Sequence, residues 1–142
     1  DAMYAQGSLQ FVDGEPWDEM TGDARHDIRM VVRTFVEFCA ADPARYQLLF
    51  QRTIPGFEPS PESFAISEQS LERYGELLAR CGITDPRALD LFTALSTGLA
   101  DQQIANDPGG DRWIRLVDDV VDMFVDYLEK SSKPNRSRKK AG

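Results

Sequence analysis

Polar and apolar positions divide most cleanly over WIRLVDDVVDMFVDYLE, residues 113 to 129. At about 100° per residue, Arg112, Arg115, Asp118, Asp119, Asp122, Asp126 and Glu129 share one arc. Trp113, Ile114, Leu116, Val117, Val120, Val121, Met123, Phe124, Val125, Tyr127 and Leu128 fill the rest. The apolar arc spans about 200°, whereas a helix that only covers a domain needs roughly 100°. Either one flank packs on its own domain and the other on a second copy across a two-fold axis, or the helix is central to a monomer.

The same periodicity places the other elements. Residues 1 to 11 hold a short helical run around Met3, Tyr4 and Ala5 that stops near Gly7, read as the end of a helix begun upstream; Val12 to Gly22 is a connection. Thr21 is the expected N-cap of a helix from Asp23 to Ala41, with Ile28, Val31, Val32, Phe35, Val36, Phe38 and Cys39 inward and Arg25, Arg29, Arg33 and Glu37 outward. Asp42-Pro43 opens a two-turn helix to Gln51, and residues 53 to 60, TIPGFEPS, form an apolar loop. Ser60-Pro61 starts a helix to Cys81, with Phe64, Leu71, Tyr74, Leu78 and Cys81 inward and Gly82 as its C′ residue. Asp85-Pro86 opens the next helix, to about Ala105, with inner face Ala88, Leu91, Phe92, Leu95 and Leu99 and with Ala94, Ser96, Thr97 and Gly98 permitting close approach or leaving space. Asn106 to Asp111 is a turn, with Asp111 as N-cap of the last helix. The prediction is an all-α bundle of about five helices after an initial fragment, with no strand pattern and no repeat.

At 142 residues, 42% hydrophobic and 28% charged, the composition is that of one globular domain. No apolar run approaches the ~20 residues of a membrane span, so no membrane role and a cytoplasmic location are expected. Cys39 and Cys81 fit reduced, buried thiols. The net charge of −8 hides an asymmetry: residues 130 to 142 carry six of the 16 Lys and Arg and no acid, leaving ten basic against 24 acidic residues, a net of −14, on residues 1 to 129. So acidic a body repels nucleic acid. The organisation expected is residues 1–11 as the end of a linking helix, 12–130 as the domain and 131–142 as a disordered basic tail.

Catalytic signals are weak. His26 lies on a polar helix face with no second histidine, no glycine-rich phosphate loop is present, and Asp118, Asp119 and Asp122 read as a solvated face, so no catalytic residue, metal or cofactor is assigned. The chain instead concentrates aromatics: Phe35, Phe38, Tyr46, Phe50, Phe57, Phe64 and Tyr74 come from three helices and a loop. They close on a solid core or line a cavity. With Leu95 and Leu99 they form the candidate pocket. Gln102 and Gln103 extend an apolar face where an amide needs a partner; Gln102 is placed with the pocket and Gln103 with an interface.

In order and character, PARYQLLFQRTIPGF, the proline-capped helix from Pro61, LDLFTALSTGLADQQIANDPGGDRW and the final apolar helix resemble the regulatory domain of tetracycline-repressor (TetR) family transcriptional regulators, over Asp1 to Leu128. The resemblance implies a helical domain that binds a small-molecule effector and forms a homodimer by joining the last two helices of each copy into a four-helix bundle. The expected interface is Phe92, Ser96, Gln103, Trp113, Val117, Val120, Val121, Phe124 and Leu128. DNA binding belongs to an N-terminal helix-turn-helix domain that this chain lacks. The competing reading is a stand-alone helical dimerisation or scaffold module with a solid core.

Overall fold

The computed structural model describes residues 2–14, 16–51 and 58–132. These form six α-helices, α1 (Ala2–Asp13), α2 (Ala24–Ala41), α3 (Pro43–Tyr46), α4 (Pro61–Arg80), α5 (Ala88–Asn106) and α6 (Val117–Ser132), with no strand among the described residues. A π-helical stretch, Gln47–Gln51, continues α3, and 3-10 turns occupy Trp17–Glu19 and Ile114–Leu116. Helix α2 is the axis: Ile28, Val31, Val36 and Cys39 are fully buried, with α5 and α6 packed on it, while α1 lies on α4. No helix among the described residues is long and apolar enough to cross a membrane.

Local caps set the starts of α3 and α4 as read from the sequence. The Asp42 carboxylate accepts from Arg45 N at 3.1 Å and Ser60 Oγ from Ser63 N at 3.2 Å. Gly82 closes α4 at φ 76°, a left-handed value that favours glycine, while Ile83 N donates to Leu78 O at 2.9 Å. Three starts differ. Asp23, not Thr21, caps α2, accepting from His26 N at 2.8 Å. Thr21 is recruited by Asp27, whose buried carboxylate accepts from Thr21 N (2.9 Å), Thr21 Oγ1 (2.8 Å) and Gly22 N (2.9 Å). Helix α5 begins at Ala88 because Asp85 spends its carboxylate on the Arg87 backbone and guanidinium. Asp111 does not cap α6; a 3-10 turn intervenes, and the free N–H groups of Trp113 and Ile114 go to Gln103 Oε1 at 2.9 and 3.1 Å.

Helix α1 does not stop at Gly7. It runs to Asp13 and buries Tyr4, Gly7, Ser8 and Phe11, an i, i+3, i+4, i+7 stripe. Gly7 sits at a close approach: a Cβ there would meet Arg45 Cγ at 3.3 Å and both Leu49 Cδ atoms at 3.4 Å, so these side chains would have to give by a few tenths of an ångström. At the other end, Ser131 and Ser132 continue α6 rather than opening a tail, and residues 133–142 lie outside the described residues.

The polar arc of α6 is not a free solvated face. Asp118 pairs with Arg33 (3.3 Å), Asp122 with Arg25 (3.1 Å) and Arg29, and Asp126 and Glu129 with Arg25. Each half-exposed pair contributes little by itself, but the row fixes which face of α6 meets α2. Hydrogen bonds from Arg29, and then Arg25, hold Asp122 below the ordinary carboxylate value despite its desolvation. Burial by itself would raise Asp27, but the bonds from Thr21 and Gly22 and the nearby His26 outweigh it and leave it lowered too.

These carboxylates bind fewer protons folded than unfolded just below their ordinary value of 3.8. Their stabilisation is therefore complete above that pH and is lost as pH falls through the folded values. Urea midpoints measured from pH 6 to pH 3 should fall steeply below about pH 4. Asp27→Asn should be weaker by about 2 kcal/mol at pH 7, from the charged hydrogen bonds it loses, and should fall less steeply with acid; parallel curves for the two proteins would contradict this assignment.

Burial pushes the Cys39 thiol well up and Cys81 up less, so both stay protonated.

Candidate functional site

Helices α1, α2, α4 and α5 and the π-helical stretch surround a pocket of about 280 Å³. Helix α1 contributes Tyr4, Ser8 and Phe11, α2 Phe35, and the π-helical stretch Leu49 and Phe50. Helix α4 contributes Phe64, Glu68, Ser70, Leu71 and Tyr74, and α5 Phe92, Thr93, Ser96 and Thr97. Exposed Phe50, Glu68, Leu71 and Thr93 form the mouth. A volume of this order holds a small organic molecule rather than a few waters.

Phe11 sits at the centre of the aromatic wall, with ring centroids 5.8 Å from Phe35, 5.2 Å from Phe38, 5.5 Å from Phe50 and 6.3 Å from Tyr74. Phe35 and Phe50 meet edge-on at 5.4 Å, and Tyr74 lies 5.3 Å from Phe92. These edge and tilted contacts are the favourable arrangements for ring quadrupoles, so the wall is preformed.

Four of the expected pocket residues, Phe35, Phe50, Phe64 and Tyr74, line this space. Five do not. Phe38 packs behind Phe11 and carries the Arg45 guanidinium 3.7 Å over its ring. Tyr46 is buried behind Phe50, its hydroxyl donating to the Asp101 carboxylate. Leu99 belongs to the core, while Leu95 and Gln102 face outward from α5, Gln102 accepting from Asn106 at 2.6 Å. Phe57 and most of the apolar loop lie outside the described residues. Gly98 leaves no volume in the pocket: it is exposed, and a Cβ there would meet nothing within 4 Å.

Of the residues placed at an interface, Phe92 and Ser96 line the pocket instead. Val117, Val121, Phe124 and Leu128 are buried in the core of the single chain. Gln103, 1% exposed, clasps the turn before α6: besides the two bonds it accepts, its amide donates to Gly110 O at 2.9 Å and to Asp107 O. Trp113 and Val120 are half-buried. The large apolar side chains exposed on α5 and α6 are Leu95, Met123 and Tyr127.

Hydropathy of residues 1 to 11 does not place Tyr4, Ser8 and Phe11 in the site, because Gly7 reads as a helix stop. Their i, i+4, i+7 spacing was the available signal. Ser96, expected at an interface, and Ser70, which carries no hydropathy signal, both line the pocket. Both are 3% exposed, and neither Oγ has a hydrogen-bond partner among the described residues. Thr93 and Thr97, on the same wall, donate to Leu89 O (2.8 Å) and Thr93 O (2.7 Å) and so are satisfied within their own helix. Among the described residues Glu68 is the one carboxylate in the lining, and none of the lining residues described is Lys or Arg.

No family model, no curated protein and no solved structure matches this chain.

Proposed function

We propose that this chain is the effector-binding and dimerisation domain of a TetR-like transcriptional regulator acting in the cytoplasm, a repressor released by a small apolar or amphipathic ligand. The observation that carries the reading is that α1, the helix nearest the N-terminus, supplies three residues of the pocket wall. A ligand touching Tyr4, Ser8 and Phe11 has differential contacts with alternative positions of α1, which is what a population shift requires. With a DNA-reading head upstream, that shift alters the spacing of two heads in a dimer and so their fit to successive major grooves. The open volume weighs against a scaffold with a solid core. The outward Leu95, Met123 and Tyr127 support pairing of α5 and α6 with a second copy.

The neutral fluorophore N-phenyl-1-naphthylamine tests the pocket. It should bind saturably at one molecule per chain and, at a hundred times its Kd, stabilise the domain by about 2.7 kcal/mol. Thr97→Trp, placed on the half-buried edge of the lining, should abolish binding while leaving the helical circular dichroism unchanged. Binding that persists in Thr97→Trp, or no binding up to the solubility of the probe, would overturn the reading.

A further inference from the structure

Three polar groups of the pocket stand out: two buried serine hydroxyls with no hydrogen-bond partner among the described residues and a carboxylate at the mouth. A buried hydroxyl without a partner is unfavourable, and both serines stand mid-helix, where alanine is the better helix former. Ser70 and Ser96 do not even take the local carbonyl bond that Thr93 and Thr97 make. They come from different helices, α4 and α5, and line one space. Glu68, on the exposed side of the same α4 wall, has no ion pair among the described residues. With Glu68 unpaired at the mouth, no basic residue among the described lining and a net of −14 on residues 1 to 129, the potential at the mouth attracts cations and repels anions.

We infer that the pocket selects a monocationic aromatic amphiphile: a flat ring body held among Phe11, Phe35 and Phe50, a hydroxyl or carbonyl at its buried end bonded by Ser70 and Ser96, and an ammonium at its other end beside Glu68. The aromatic walls supply the bulk of the affinity and the two serines the orientation. Glu68 discriminates by charge. Fatty acids and other anionic amphiphiles of the same size are rejected. This rests on the pocket being the effector site and adds the class of effector.

Three probes with one bicyclic body separate the contributions: 6-(aminomethyl)-2-naphthol, its anionic counterpart 6-hydroxy-2-naphthoic acid, and 2-naphthylmethylamine, which lacks the hydroxyl. Titration calorimetry, with displacement of N-phenyl-1-naphthylamine to locate the site, should show the amino-naphthol binding about tenfold tighter than either of the others. Glu68→Gln should remove its advantage over the acid and leave its advantage over the hydroxyl-free amine. The Ser70→Ala, Ser96→Ala pair should do the reverse. The same pair should raise the unliganded melting temperature by about 3 °C, whereas serines needed for the fold would lower it.

Equal affinities for all three probes, each displacing the fluorophore, would overturn the selection while leaving the pocket standing. So would tighter binding of the acid, or a serine pair whose removal changes neither affinity nor melting temperature. Failure of the fluorophore and of all three probes to bind would overturn the pocket itself, and this inference with it.

Discussion

Replacing Gln103 by leucine is expected to destabilise the domain by about 4 kcal/mol, a large share of the 5–15 kcal/mol that holds a typical domain folded. The side chain is 1% exposed and makes four hydrogen bonds to main chain, accepting from Trp113 N and Ile114 N and donating to Asp107 O and Gly110 O. Each bond has a modest net value, but the loss strands main-chain groups at the turn into α6, and a buried group left unpaired costs about 1–3 kcal/mol. Leucine nearly conserves the volume, so the effect isolates the hydrogen bonds. Gln103→Glu is the sharper variant: it keeps both acceptors yet loses the donor and points a carboxylate at two carbonyl oxygens, and it should cost about as much. Urea denaturation of the three proteins reads both values. A loss below about 1 kcal/mol in either variant would mean that water replaces the amide and that Gln103 is not the clasp.

Gln103 also marks where the sequence stops being legible. Helix existence is written locally, in Asp42-Pro43, Ser60-Pro61 and Gly82, because caps and left-handed turns act over three or four residues. Which face of a helix turns inward depends on partners far along the chain. For α5, hydropathy ranks Leu95 above Ser96, yet Leu95 is 38% exposed and Ser96 3%. Small side chains at Ser96 and Ala100 let neighbours come close, and α5 is apolar around most of its circumference, so hydropathy does not choose a side. Helix α4 is amphipathic, yet it too exposes Leu71 and buries Ser70. The arginine row of α2 and the aspartates of α6 are each visible in the sequence as polar faces. That they meet is a fact about chain segments some 90 residues apart, as in Arg29 with Asp122.

The site divides the same way. The aromatic cluster is legible because rings need burial whatever the topology, and Phe35, Phe50, Phe64 and Tyr74 do line one space. Whether such a cluster closes on itself or encloses volume turns on a few small residues. Gly7 lets α1 settle against Leu49 and Arg45, which brings Phe11 into the centre of the rings, while Thr93, Ser96 and Thr97 are too short to fill the gap to α4.

The second large effect concerns pairing of copies. The sequence pattern alone puts Val121 and Phe124 at the interface, but both are core residues of the protomer, 1% and 5% exposed. Val121→Asp is therefore expected to unfold the chain, with loss of helical circular dichroism, rather than to yield a folded monomer. Met123, 70% exposed on the same helix, is the informative position. The apolar arc of α6 extends beyond the core to exposed Met123 and Tyr127, next to exposed Leu95 of α5, and the proposed dimer would use these as its second surface. In a two-fold dimer every substitution occurs twice, so Met123→Asp buries two unpaired charges. A total near 4 kcal/mol corresponds to roughly a thousandfold rise in the dimer Kd. Sedimentation equilibrium at micromolar concentration should find the 16.0 kDa chain dimeric, and Met123→Asp monomeric with its helical spectrum and urea midpoint near those of a wild-type monomer obtained by dilution. A monomeric wild type, or a Met123→Asp protein that sediments with it as a dimer, would remove the interface from α5 and α6. The pocket, which lies on the α1 and α4 side of α5, would then have to act within a single copy.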